Sequence, residues 1–309
     1  MYSYRKSLKS DISDELINIY LLRPIAGLIV WALYNTPITP NQVTVASTIV
    51  GLVAAFFYLK GTSEAIIVAG LLVTLKDLLD SADGQLARAK QQYSRVGRFL
   101  DSIGDFVVDL VVFSAIGWIL YQSGGHWWML LLALLGLVGI SLRVSCHVFY
   151  QVNFLHLQKQ FVNNRISEEI REEDLKKGGV ELILQRIFLC IYGWQDRLIE
   201  RVDRWSYGES FLRSSENEPR DSLKGSSREP CSWSQEWYAD IISLRISGLL
   251  GFGTELFLLM VCSVLNRLEL YLYLNIFLMN GILILCFLYR RFVLLRELQA
   301  MKDEQKGIL

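Results

Sequence analysis

The stretch SEAIIVAGLLVTLKDLLDSADGQLARAKQQYSRVGRFLDSIGDFVVDLVVFSAIGWILY, residues 63–121, reads as two apolar runs joined by a short polar turn. Each run, 63–84 and 98–121, is long enough for a membrane-spanning helix, which needs about 20 apolar residues. Yet both runs carry acids. Asp77, Asp80 and Asp83 stand at i, i+3, i+6 near the end of the first, and Asp101, Asp105 and Asp109 at i, i+4, i+8 near the start of the second. Such spacings keep each set near one face of its helix. A charge inside a span is expensive and by default marks function or pairing, so this hairpin points at once to membrane-embedded helices and to the place where chemistry belongs.

Working outward, the 309 residues are 52% hydrophobic and 20% charged, with 31 basic residues against 31 acidic ones and a mean hydropathy of +0.31. This balance excludes a disordered chain, a secreted disulfide scaffold and a basic nucleic-acid binder. It fits an all-α, polytopic integral membrane protein. Six apolar stretches qualify as transmembrane helices, about 41–59, 63–84, 98–121, 127–150, 239–265 and 268–289. The turns on one side hold only Lys60 and Arg267, and Lys76, Arg143 and Arg245 fall inside spans; the other 26 basic residues lie on the opposite side. The positive-inside rule makes that side cytoplasmic, with both termini and the acidic hairpin turn there, in the cell (inner) membrane.

A seventh stretch, 16–35, is interrupted by Arg23 and Pro24. Spanning would break the even count, so an N-terminal interfacial helix is preferred. Thr39 and Pro40 read as N-cap and first residue of the first span. Arg5, Lys6 and Lys9 are followed by Asp11, Asp14 and Glu15 rather than an apolar core, which argues against a cleavable signal. The chain thus divides into an interfacial segment (1–38), spans one to four (39–150), a cytoplasmic insertion (151–238), spans five and six (239–290) and a cytoplasmic tail (291–309). Within the insertion, Ile183, Ile187, Ile191, Trp194, Leu198, Val202 and Trp205 recur at near-helical spacing, which fits an interfacial amphipathic helix or one packed on the chain itself. Residues 206–236 hold nine serines with Pro219 and Pro230 and read as a flexible linker. Cys146, Cys190, Cys231, Cys262 and Cys286 are scattered without a CxxC pair and read as small buried hydrophobes.

If the two acidic runs pack as a hairpin, Asp80 and Asp83 face Asp101 and Asp105. Four carboxylates that close raise one another's pKa. Hard divalent cations resolve the conflict: oxygen-only ligands suit Mg²⁺ or Mn²⁺, and four acids suffice for two ions acting on one phosphorus. Gly84 leaves room for a ligand beside Asp83, Ala87 keeps that face shallow, and Arg88 offers a planar cation to a phosphate. Gly97 does for the second helix what Gly84 does for the first.

Written as a pattern, residues 80–105 are DxxDGxxAR, eight residues, GxxxDxxxD. This resembles the signature of the CDP-alcohol phosphotransferase (CDP-alcohol phosphatidyltransferase) family at all eight defining positions. The segment TPNQVT, Thr39 to Thr44, is similar to the start of the family's first helix. The likeness covers roughly 10–150, and the last two spans fit its six-helix layout, while 151–238 departs from it. The resemblance implies that Asp80, Asp83 and Asp101 ligate two divalent cations, that Asp105 completes the site and acts as general base, and that Gly84, Ala87, Arg88 and Gly97 shape the CDP pocket. It further implies transfer of a phosphatidyl or other phospho-alcohol group from a CDP-alcohol donor, with CDP-diacylglycerol favoured, to an alcohol acceptor, with release of CMP, in phospholipid biosynthesis and in contact with membrane lipid. A homodimer is expected from the family.

Other residues read less sharply. Lys76, Asp77 and Asp109 favour structural pairing. Arg143 and His147 are candidates for acceptor binding, balanced against snorkelling to the interface. Arg98, with Arg95, is a candidate for a second phosphate or for cytoplasmic anchoring. Asn41 either touches the nucleotide or stabilises a helix start. Arg245, Glu255 and Asn280 line the same cavity or pair with each other. The competing functions are transfer of a CDP-linked headgroup to diacylglycerol, hydrolysis by the same metals, an inactive scaffold, and an ion-coupled transporter; the last predicts acids at mid-bilayer on several helices. Glycerol 3-phosphate, inositol phosphate, serine, inositol and another phospholipid stay open as acceptors, with Arg143 tilting towards a phosphorylated one.

Overall fold

The computed structural model describes residue 4 and residues 15–158, 168–214 and 232–300. The expectations for residues 5–14, for 215–231 with Cys231, and for the tail beyond 300 lie outside the described residues. The described chain is helical, without strands. Its helices are α1 (Asn18–Leu33), α2 (Pro40–Lys60), α3 (Ser63–Lys90), α4 (Arg95–Gly124), α5 (Trp128–Leu157), α6 (Glu172–Lys177), α7 (Gly179–Ser214), α8 (Ser232–Ala239), α9 (Ile241–Gly248), α10 (Phe252–Val264) and α11 (Leu268–Ala300).

Local chemistry sets the helix ends. Thr39 caps α2 in a reciprocal box with Gln42, with Pro40 at the first turn where its missing N–H costs nothing. Gly61 closes α2 with a φ of +66°, a conformation open to glycine without a Cβ clash, and Thr62 at once caps α3. Five helical segments are long and apolar enough to cross a membrane: α2, α4, α5, α9 with α10, and α11. The sixth expected span, α3, is 28 residues long. It falls short because Lys76, Asp77, Asp80, Asp83, Arg88 and Lys90 charge it from its middle to its end.

The main core lies where α2, α3, α4, α5, α10 and α11 meet, with Tyr58, Val73, Val112, Phe113, Ile116, Leu259 and Tyr271 buried together. Small residues let backbones approach, as between membrane helices generally: a Cβ added at Gly51 of α2 would sit 2.5 Å from Val108 of α4. Helix α1 lays Ala26 and Val30 on Val43, Ala82 and Leu86, while Tyr20, Leu28 and Trp31 remain exposed. One face on protein and one apolar face outward suit a helix lying in the headgroup layer.

Inside the insertion the expected amphipathic stripe points away from the protein: Ile183, Ile187, Trp194, Leu198 and Trp205 are exposed. A different face packs inward, with Phe188 and Tyr192 on Phe99 and Ile103, and Gln195 accepting from Ser145 of α5 at 2.7 Å. One face is thus packed on the chain itself, and the apolar stripe lies exposed on the other. Within 206–214, expected as linker, the chain stays helical except at Gly208, whose φ of +70° breaks α7 into two helical pieces, and 232–236 begin α8. A buried lock fastens them: Asp203 accepts from Tyr150 Oη at 2.9 Å, Trp237 Nε1 at 3.1 Å and Tyr238 Oη at 2.8 Å. Arg290 of α11 stacks on Tyr150, 3.6 Å from the ring centroid. Cys190, expected to be buried, is exposed on α7, whereas Cys146, Cys262 and Cys286 are buried.

A second buried network ties α5 to α10 and α11. Arg143 donates to Glu255 Oε2 at 3.0 Å, Asn280 Oδ1 at 2.7 Å and the Asn275 carbonyl at 3.0 Å, and Tyr271 Oη donates to Glu255 Oε1 at 3.1 Å. Removing one charge of such a pair strands the other, at a cost of about 3–5 kcal/mol, whereas an apolar pair of similar volume is often tolerated. Glu255→Ala should therefore lower the thermal midpoint in detergent sharply, and Arg143→Met with Glu255→Leu should recover most of the loss. A double variant no more stable than Glu255→Ala would contradict this.

Candidate active site

The turn between α3 and α4 builds the site. Helix α3 ends at Gln91, which adopts a φ of +54°, and Ser94 caps α4 by accepting from the Gly97 N–H at 2.7 Å. Lys90 secures the end of α3 by donating to the carbonyls of Thr36 at 2.8 Å and Ile38 at 2.7 Å. So short a turn folds the helices back on each other and brings their two acidic faces together.

Asp80, Asp101 and Asp105 converge: one carboxylate oxygen from each lies within 4.8 Å of the others. Oδ1 of Asp101 is buried with no hydrogen-bond partner. An orphaned buried carboxylate oxygen in an all-oxygen cluster fits a hard divalent cation. Asp83, one turn beyond Asp80, is buried and accepts from Thr44 Oγ1 of α2. Lys76, buried at 1% exposure, donates to Asp105, lies 3.9 Å from Asp80 Oδ1 and sits over the Phe252 ring at 4.5 Å. Its pairing therefore reaches across to the facing helix. Asp77 and Asp109 are both buried one turn deeper.

A cavity of about 350 Å³ opens beside the acids. Asp80, Asp101, Asp105, Asp109 and Arg98 form its polar end, while Ile140, Val144, Val148, Val152 and Leu155 of α5 give it an apolar wall. Ser102, Phe106, Ser141, Gln151, Tyr192 of α7 and Phe252 complete the lining. Gly84 is not required by packing, since a Cβ there would meet only the Arg88 guanidinium at 3.5 Å; the face next to Asp83 is left open. At Gly97 the Asn41 side chain approaches so closely that a Cβ would displace its amide. Asn41 is thereby held at the head of α4, and Ala87 stands half-buried beside Arg88.

Arg143 and His147 are buried in α5, and neither is among the residues lining the cavity. Arg143 is engaged with Glu255, while Arg245 is exposed. Arg98 does line the cavity, and it pairs with Glu168 from the insertion. Arg95, beside it, donates to Asp174 at 2.6 Å, which with the Arg171 N–H holds the Asp174 carboxyl well below the usual range. Sequence reasoning missed Thr44 as partner of Asp83, although it ends the TPNQVT segment. It also missed Lys76 as partner of Asp105, and for Tyr192 and Glu168 there is no local signal at all.

Residues 37–160 match the sequence profile described as CDP-alcohol phosphatidyltransferase. Among curated proteins, the chain is 36% identical over 104 residues to the "Bifunctional IPC transferase and DIPP synthase" of Thermococcus kodakarensis, covering 34% of this chain and 23% of that one. It is 41% identical over 73 residues to the "Archaetidylinositol phosphate synthase" of Pyrococcus horikoshii, covering 23% and 37% respectively, and 38% identical over 119 residues to an uncharacterized Aquifex aeolicus protein, covering 38% and 56%. The matched part spans less than a quarter of the bifunctional relatives' length.

A ligand that binds only the folded state stabilises it by about 2.7 kcal/mol at 100 times its dissociation constant. Mn²⁺ should accordingly raise the thermal midpoint of the detergent-solubilised protein, and Asp101→Asn should remove most of the rise. No rise in the unaltered chain would count against a cation at these acids.

Proposed function

Residues 37–160 belong to the CDP-alcohol phosphatidyltransferase family, and from that premise we propose that the chain transfers a phosphatidyl group from CDP-diacylglycerol to the hydroxyl of an alcohol acceptor, releasing CMP. The convergence of Asp80, Asp101 and Asp105 at one end of a cavity with a long apolar wall carries the reading: acids for a diphosphate and its metals at one end, a surface for a lipid-linked alcohol along the side.

Asp80, Asp83, Asp101 and Asp105 would hold two divalent cations, Mg²⁺ or Mn²⁺, which supply Lewis-acid polarisation of the diphosphate and neutralise its charge. Arg88, folded over the open face of Gly84, presents a planar donor pair to a phosphate. Thr44 holds Asp83 and Lys76 holds Asp105, so two of the four acids are fixed by side chains outside the signature. Asp105 takes the proton of the acceptor hydroxyl as its oxygen attacks the phosphorus that bears the diacylglycerol. The bond from that phosphorus to the bridging oxygen breaks, and CMP leaves with the electron pair. Lys76 is a positioning residue for the base.

The acceptor is read as a phosphorylated alcohol. Arg98 lines the cavity beside the acids, and one relative is named as an archaetidylinositol phosphate synthase. The chain is read as a six-span protein of the cell membrane, with α3 as the second span and the site facing the cytoplasm.

General-base catalysis contributes about 10²–10⁴-fold. Asp105→Asn should reduce CMP release from CDP-diacylglycerol by at least that range in mixed micelles, and EDTA should abolish release. Full CMP release by Asp105→Asn would remove the assignment of the base. Release independent of any alcohol would replace transfer with hydrolysis.

A further inference from the structure

The segment Glu168–Gly178, which leads into α7, lies against the first turn of α4. Glu168 bridges Arg95 and Arg98, one carboxylate oxygen to each guanidinium. Asp174 holds Arg95 through Oδ1 at 2.6 Å and Oδ2 at 3.2 Å, and Glu181 approaches it at 3.3 Å. Gln185, buried on α7, donates to Glu168 Oε1 at 3.0 Å and to the Glu169 carbonyl at 3.1 Å. The apolar side chains of the segment are only partly buried, Ile170 being 37% and Leu175 54% exposed. Two consecutive glycines with positive φ, Gly178 at +59° and Gly179 at +77°, join the segment to α7.

Three features combine here. Arg98 belongs to the wall of the catalytic cavity, and its Nε is buried without a hydrogen-bond partner. The contacts that hold the segment are carboxylates on guanidinium groups, a geometry that a phosphate reproduces. The two guanidinium groups are 32% exposed, and ion pairs that reach solvent are screened by salt, so an anion of like geometry can compete for the same arginines. A segment packed through apolar side chains would not yield in this way.

We propose that Glu168 is a specificity-determining residue that occupies the acceptor's phosphate position on Arg98, and that the Glu168–Gly178 strap lifts when a phosphomonoester takes its place. The proposal rests on the transferase reading and names its acceptor class. It also gives the insertion a task. With Glu168 on Arg98, an uncharged alcohol meets a neutralised arginine and gains nothing from it; a phosphorylated alcohol exchanges one anion for another.

Backbone hydrogen exchange of residues 168–178, measured on the full chain in detergent with Mg²⁺ at constant ionic strength, tests this. Glycerol 3-phosphate should raise exchange in the strap about five-fold, the scale of an ion pair lost, and CDP alone should leave it unchanged. Glu168→Gln should show the raised exchange without ligand, and should lower the KM for a phosphorylated acceptor while kcat and the KM for CDP-diacylglycerol stay the same. Exchange that is unchanged or slowed by glycerol 3-phosphate, a response to CDP instead, or an unaltered strap in Glu168→Gln would overturn the proposal. The exchange readout needs no turnover: a responsive strap without CMP release defeats the transferase reading alone, and CMP release with an indifferent strap defeats only this proposal.

Discussion

Carboxylates at membrane depth must be neutralised, and the arrangement of α3 against α4 follows from that constraint. Six aspartates stand on the two helices of the hairpin, and among the described residues one buried ammonium, Lys76, spans from α3 to Asp105 on α4. One hydroxyl, that of Thr44, serves Asp83. Asp101 is left with an orphaned oxygen. The cluster is thus incomplete on the protein's own terms, and the missing charge matches what hard divalent cations provide. Around it, the small-residue contacts of α2 and the capped four-residue turn keep the two helices in register.

A second theme is the integration of the insertion. Polar contacts join the apolar packing of Phe188, Tyr192 and Ile199 in holding α7 against the membrane helices: Gln195 to Ser141 and Ser145, Tyr192 to the Ser102 carbonyl at 2.7 Å, and Asp203 within its three donors. Burial raises the Asp203 carboxyl above its ordinary range, opposed by Arg290 and by the hydroxyl and indole donors. These interactions bring Tyr192 into the cavity wall and Glu168 to its mouth, so the part of the chain that departs most from the family pattern borders the part that matches it best.

Much of this was legible from local sequence. The spans follow from runs of apolar residues, the helix starts from Thr39, Thr62 and Ser94, and the acidic cluster from a fixed spacing on two adjacent helices; each depends on residues close in the chain. Helix α3 falls outside the apolar spans because its charges dilute its hydropathy. What sequence did not convey were choices among distant partners. Lys76 had three acids within reach and takes the one 29 positions away. Arg143 had a cavity and an interface available and is instead held by Glu255, 112 positions away. For α7 the apolar stripe was visible, but its direction depends on which face carries polar groups that find partners on α4 and α5, and periodicity does not encode that.

Anomalous diffraction from crystals of the full chain grown with Mn²⁺ tests the central claim most directly. Two peaks should appear between α3 and α4, liganded by Asp80, Asp83, Asp101 and Asp105. Well-ordered density for the hairpin with no peak among these carboxylates would contradict it.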